Sequence, residues 1–217
     1  MRLKAMAKIN LGLDVMGKRE DGYHEVRMIM QTIRMYDILD IRKTRRPGIV
    51  LTTNLPFIPT DQRNLVYKAA QMLMEEFYVE EGLSIKLRKF IPVAAGMAGG
   101  SSDAAAAFVG VNRMFHLGLT EEQLMERAVK VGADVPYCIM RGTALEEGIG
   151  EKLTRLPEVP KCYVLIGKPG INVSTKTAYE NLNLEGIGKH PDIDGLIGAI
   201  RNNDLYAMAS RMENVFE

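Results

Sequence analysis

Apolar and polar residues alternate at the start of the chain. Ala5, Ala7, Ile9, Leu11, Leu13 and Val15 fall on one parity, and Lys8, Asn10, Gly12 and Asp14 on the other. A period of two belongs to a strand with one buried face, so Lys8 and Asn10 project together from the opposite face. A turn at Asp21-Gly22 precedes two more strand-like runs, "VRMIMQTIRM" (26–35) and "DILDIRK" (37–43). The basic stretch Arg42-Lys43-Thr44-Arg45-Arg46 then meets Pro47-Gly48, the pattern of a solvated hairpin tip, and "GIVLTTN" reads as the next strand. From Asn64 to Phe77 the spacing of Leu65, Ala69, Met72, Leu73 and Phe77 predicts an amphipathic helix.

"LSIKLRK" (83–89) alternates again and leads into a glycine-rich loop, after which Ser101 to Phe115 reads as an alanine-rich helix. Thr120 with Gln123 forms a capping box for a helix reaching Val131, and "GADVP" (132–136) breaks it. "GTALEEGIG" and "CYVLIGKP" read as strands, with helices expected from Ser174 and from Asp194, an N-cap, to Met212. Two prolines in "LPEVP" (156–160) mark a boundary between a domain over 1–156 and a second over 157–217, the latter too short for a core of its own.

Composition narrows the function classes. With 28 Lys and Arg against 27 Asp and Glu in 217 residues, no electrostatic case exists for coating nucleic acid or an anionic membrane, so a small-molecule partner is expected. Any anion must be held locally. Cys138 and Cys162 sit in apolar settings without C-x-x-C spacing, as buried thiols in a reducing compartment do. No leader-like start and no run of about 20 apolar residues is found, so a cytoplasmic location is expected. Oligomeric state has no signature in the sequence.

The chemistry centres on "PVAAGMAGGSSDAAAA" (92–107). Gly96, Gly99 and Gly100 let backbone N–H groups approach a ligand, and the following helix aims its unpaired amides at the same point. Ser101 and Ser102 can cap the helix, bind a phosphate oxygen or ligate Mg²⁺. On the loop alone, a plain lead-in to a helix with a serine cap stays open. A Walker A loop needs a lysine where Ser101 follows Gly100, and a dinucleotide fingerprint belongs after the first strand of a parallel sheet. The G-x-S-x-G of a hydrolase elbow is absent.

The match is to P-x-x-x-G-x-x-G-G-S-S. With "AKINLGLDV", "DGYH" and "GADVPYC" in the same order, residues 5–180 closely resemble the GHMP kinase superfamily. The resemblance implies an α+β fold of two domains, the first ribosomal-protein-S5-like and the second ferredoxin-like. It also implies ATP and Mg²⁺, with Lys8 and Asp134 as catalytic residues and Asp134 as the general base. Asn64, Lys89, Pro92, Gly96, Gly99, Gly100, Ser101 and Ser102 would bind ATP, and Ser101 or Ser102 is the candidate metal ligand. Lys89 has ordinary surface charge as its bland alternative, and Asp103 receives no catalytic role. Asn10, Tyr23, His24, Thr175 and Tyr179 would bind substrate, with Tyr23 and Tyr179 as walls around a cytosine and His24 at its edge. The resemblance further implies phosphorylation of the 2-hydroxyl of a diphosphocytidyl-linked methylerythritol in non-mevalonate isoprenoid synthesis. The rivals are a homoserine, mevalonate or sugar kinase, a silent nucleotide-binding fragment, and a hydrolase using Ser101, His24 and Asp134. The superfamily's C-terminal glycine-rich stretch has no counterpart after Gly170, so the second domain is expected to be incomplete.

Overall fold

The computed structural model describes residues 1–22, 24–170 and 175–216. They divide into two compact units, the first formed by Met1–Lys8, Ile33–Val93 and Met97–Met140, the second by Ile9–Thr32, Ala94–Gly96 and Arg141–Glu217. Two long strands, β1 (Arg2–Lys18) and β2 (His24–Thr44), contribute to both.

In the first unit, β4 (Gly82–Arg88) lies between β2, which it meets antiparallel, and β3 (Ile49–Thr53), which it meets in parallel. Leu39 pairs with Leu87 and Ile41 with Ile85, so the buried parity continues from strand to strand. The hairpin expected around Pro47-Gly48 is therefore not formed. β2 and β3 flank β4: Arg42 to Thr44 end β2, paired with Ser84 to Gly82, and only Arg45 to Gly48 connect the two non-neighbouring strands. Helix α1 (Leu65–Glu76) packs Ala69, Ala70 and Leu73 inward beside α2 (Gly99–Phe115), which buries Ala104 to Phe108 and Val111. α3 (Glu121–Ala128) starts in the expected capping box, Thr120 Oγ1 accepting from Gln123 N while Gln123 Oε1 accepts from Thr120 N.

Two expectations give way in this unit. β2 does not break at Tyr36, because Asp37 is itself a buried strand residue whose carboxylate accepts the amides of Phe90 and Ile91. Nor does "GADVP" simply end a helix: it opens a new one, α4 (Val135–Met140), with Pro136 in the first turn, where a missing N–H costs nothing.

In the second unit, β5 (Thr143–Gly148) pairs antiparallel with residues 26–31 of β2 and with β6 (Lys152–Arg155). A core of Leu11, Ile29, Leu145, Ile193, Leu196, Ile197 and Ile200 gathers against α6 (Ile193–Arg201). α5 covers Thr175–Glu180. The single helix expected from Asp194 to Met212 is instead two. Asp192, not Asp194, caps α6, and the chain breaks where Asn203 takes φ 54° and Asp204 caps α7 (Leu205–Ala209). A short strand β7 (Glu213–Asn214), absent from the sequence reading, pairs parallel with β1. "CYVLIGKP" forms no strand. It has no ladder partner among the described residues, and Tyr163 and Leu165 are fully exposed. Cys138 is buried as expected, but Cys162 lies in this open stretch and is exposed.

Candidate active site

The glycine loop is held in a strained form. Ala94 (φ 53°), Gly96 (φ 68°) and Ala98 (φ 52°) all adopt positive φ. Glycine takes that region freely, whereas for alanine it costs about 1 kcal/mol, and such strain persists only where surroundings impose it. Met97 supplies the restraint: its side chain is buried and its carbonyl accepts the amide of Lys8 at 3.2 Å. Ala98 is the N-cap of α2 and offers no side-chain hydrogen bond. The helix thus begins two residues before the expected Ser101, and neither serine caps it. Gly99, Gly100 and Ser101 become its first three positions, their amides lacking intrahelical acceptors. An uncapped helix start with small residues presents its positive end to an anion.

Ser102 joins three elements. Its hydroxyl lies 2.5 Å from the carbonyl of Met6 and 3.3 Å from Cys138 Sγ, and the residue is 2% exposed. Met6 stands two residues before Lys8 on the same face of β1. Cys138 stands one turn after Asp134, whose carbonyl accepts the Cys138 amide at 3.0 Å. The first turns of α2 are therefore fastened to the strand bearing Lys8 and to the helix that Asp134 precedes. Lys8 is 6% exposed and Asp134 half-buried, so neither is an ordinary solvated surface charge.

Lys89 is not a surface charge either. It is 8% exposed, and its ammonium bonds Asp37 and, at 2.6 Å, Asp103 Oδ2. Asp103 lies one turn beyond the first helical residues, 2% exposed, and its Oδ1 has no hydrogen-bond partner. Burial pushes the Asp103 carboxyl well above the usual carboxylate range; Lys89 pulls it down and the Asp37 carboxylate pushes it up. Gly99 makes room for this group, since a Cβ there would stand 3.2 Å from Lys89 Nζ and from Ile91 Cγ2.

Asn64 is buried and caps α1, its Oδ1 accepting from Val66 N at 2.9 Å and its Nδ2 donating to Pro59 O at 2.7 Å. Pro92, Gly96 and Gly100 are exposed around the loop. In the second unit, His24 and Tyr179 approach with ring centroids 5.2 Å apart, and Phe216 meets Tyr179 edge-on at 4.9 Å. Asn10 is half-buried on β1. Tyr23 lies outside the described residues, as does the side chain of Thr175, whose backbone opens α5. No cluster of three acidic, His or Cys side chains suited to a metal occurs among the described residues.

Residues 64–142 match the family model described as GHMP kinases N terminal domain. Over all 217 residues the chain is 56% identical to the 4-diphosphocytidyl-2-C-methyl-D-erythritol kinase of Lachnospira eligens, of which it covers 75%. The chain belongs to the 4-diphosphocytidyl-2-C-methyl-D-erythritol kinase family. Another kinase of that name, from Lachnoclostridium phytofermentans, is 57% identical over 215 residues, 99% of this chain and 74% of that protein. The crystal structure of a 4-(cytidine 5'-diphospho)-2C-methyl-D-erythritol kinase superposes with a TM-score of 0.77 at 30% identity, over 94% of this chain and 72% of that one. Homoserine kinase from Cytophaga hutchinsonii shares the fold, with a TM-score of 0.68 at 17% identity over 96% of this chain and 71% of its own. The mixed α+β architecture is thus that of GHMP kinases.

Four residues of this family member escaped the sequence reading: Met97, Asp37, Asp103 as a Lys89 partner, and Phe216. Met97 had a signal, an apolar residue set among small ones in the loop. Asp37 and Asp103 are 66 positions apart and only the fold joins them.

Proposed function

We propose that the protein transfers the γ-phosphoryl group of ATP to the 2-hydroxyl of 4-diphosphocytidyl-2-C-methyl-D-erythritol, a step of non-mevalonate isoprenoid precursor synthesis. The observation that carries this reading is the Ser102 junction, which fastens the phosphate-facing helix start to the segments bearing Lys8 and Asp134. The alcohol oxygen attacks the γ-phosphorus, the bond to the β-γ bridging oxygen breaks to release ADP, and Asp134 accepts the hydroxyl proton. Lys8 offers positive charge to the developing negative charge, and the amides of Gly99, Gly100 and Ser101 receive phosphate oxygens. Gly96 and Pro92 shape the loop around them.

Mg²⁺, when bound with ATP, neutralises phosphate charge. Of the two candidate serines, Ser101 is our choice, because the Ser102 hydroxyl is buried on the Met6 carbonyl. Asn64 and Lys89 act from within, as helix cap and buried cation, in shaping the nucleotide site. His24 and Tyr179, joined by Tyr23, Asn10 and Thr175, form the cytidine end, and Phe216 braces Tyr179. The division into an ATP-binding segment, 1–156, and the start of a second domain, 157–217, belongs to the same proposal. No helix among the described residues is long and apolar enough to cross a membrane.

Incubating the protein with ATP, Mg²⁺ and 4-diphosphocytidyl-2-C-methyl-D-erythritol should release ADP, with homoserine and mevalonate giving background rates. Equal release with homoserine would remove the cytidylyl assignment, and none with any acceptor would remove the kinase reading.

A further inference from the structure

A tyrosine that stacks on a base must be held in place, and α5 cannot hold Tyr179 by itself. The helix has six residues, fewer than two turns, and one that short gains too little from its own hydrogen bonds to fix a direction. Its orientation is set by what its side chains pack against. Tyr179 meets two rings of the second unit: His24, at the start of β2, at 5.2 Å with the planes tilted 38°, and Phe216 at 4.9 Å and 76°. The second contact is edge-to-face, an arrangement that the quadrupoles of two aromatic rings favour.

Phe216 is in turn fixed through its backbone. β7 pairs in parallel with β1 at Gly12 and Leu13, and the Val215 amide donates to the Leu13 carbonyl at 3.0 Å. The Phe216 amide then donates to Asn214 Oδ1 at 3.1 Å. The Asn214 side chain thus turns the chain directly after its last bond to β1, and the turn brings the Phe216 ring to Tyr179. A phenylalanine offers a base neither donor nor acceptor. Its contribution here is to orientation, while His24 supplies the edge contact.

We propose that Phe216 is a positioning residue for the cytidylyl substrate: anchored on β1 through Asn214, it fixes the ring of Tyr179 beside His24, so that the base is stacked and its edge read in one geometry. The inference rests on the kinase reading. A tyrosine free to turn has to be ordered when the base arrives, and that ordering is subtracted from the affinity. Ordering it beforehand strengthens substrate binding and leaves the phosphoryl-transfer step unaltered.

The test measures direct binding of 4-diphosphocytidyl-2-C-methyl-D-erythritol without ATP, and KM for each substrate by ADP release, in wild type, Phe216→Leu, Phe216→Tyr and Asn214→Ala. Phe216→Leu keeps an apolar side chain and loses the ring. It should weaken binding of the cytidylyl substrate and raise its KM about three- to tenfold, with kcat and KM for ATP changed less than about twofold. Phe216→Tyr, which keeps the ring, should stay within about twofold of wild type. Asn214→Ala keeps the ring but removes the acceptor for the Phe216 amide, and should raise the same KM. Unaltered cytidylyl binding in a folded Phe216→Leu overturns the proposal, as does an equal rise in both KM values or a loss confined to kcat. If Phe216→Leu does not fold, Asn214→Ala decides, and unaltered binding there overturns it. Wild type that binds no cytidylyl substrate removes that substrate assignment and this inference with it, whereas wild type that binds it no better than the variants removes this inference alone.

Discussion

Ser102 and Asp134 separate the structural from the chemical contributions of single side chains. Ser102→Ala deletes the hydroxyl on Met6 and leaves a buried carbonyl short of a partner, so about 1–3 kcal/mol of stability should be lost in urea unfolding. A loss below about 0.5 kcal/mol would mean that packing alone holds the junction. Asp134→Ala should instead leave unfolding nearly unchanged and, on the proposed role of Asp134 as general base, lower kcat by about 10²-fold with ATP binding retained. Near-normal turnover in that variant would exclude Asp134 as the base. Lys89 shows how a residue's identity can be legible while its environment is not. The sequence showed a lysine at a strand end, and burial beside two carboxyls could come only from β2 and α2 packing on either side of it.

At the scale of elements, helix starts were more legible than strand neighbours. Caps are local, and the Thr120–Gln123 box acts where the sequence placed it; Asn64 caps α1 through Val66, a role the sequence reading did not give it, and α6 is capped by Asp192 rather than the expected Asp194. Asn64→Ala should cost about 1–2 kcal/mol through loss of the α1 cap, read as a lower unfolding midpoint. α2 misled because its start depends on backbone strain rather than on a capping side chain. Ala98→Gly should relieve that strain and leave the protein equally stable or more stable by up to about 1 kcal/mol. Marked destabilisation would show that the alanine methyl is needed for packing. Strand order was not legible, because nothing in residues 42–48 records that β4, some 35 positions later, inserts between β2 and β3.

Over the whole molecule the buried Asp103 makes stability depend on pH. Its carboxyl holds a proton in the folded chain to a higher pH than in the unfolded chain, chiefly because burial penalises the charged form. Between those two values the native state binds the extra proton. Stability from this group is therefore fully present below the ordinary carboxylate range and declines as pH rises toward the folded value. Urea midpoints of wild type should fall across that window relative to Asp103→Asn, whose amide does not titrate. Superimposable pH profiles would show that Asp103 ionises alike in both states.

The sequence by itself determined the family, the glycine loop with its following helix, the strand face shared by Lys8 and Asn10, and the Thr120–Gln123 capping box. Each of these is written in residues close together or in a motif of fixed spacing. The tertiary structure decided which strands are neighbours, that Ser102 faces inward to β1 and α4 rather than outward to a ligand, and that Asp37, Lys89 and Asp103 share one interior. Those are contacts between segments far apart in the chain, selected by which apolar faces can be buried together, and no short-range pattern encodes them.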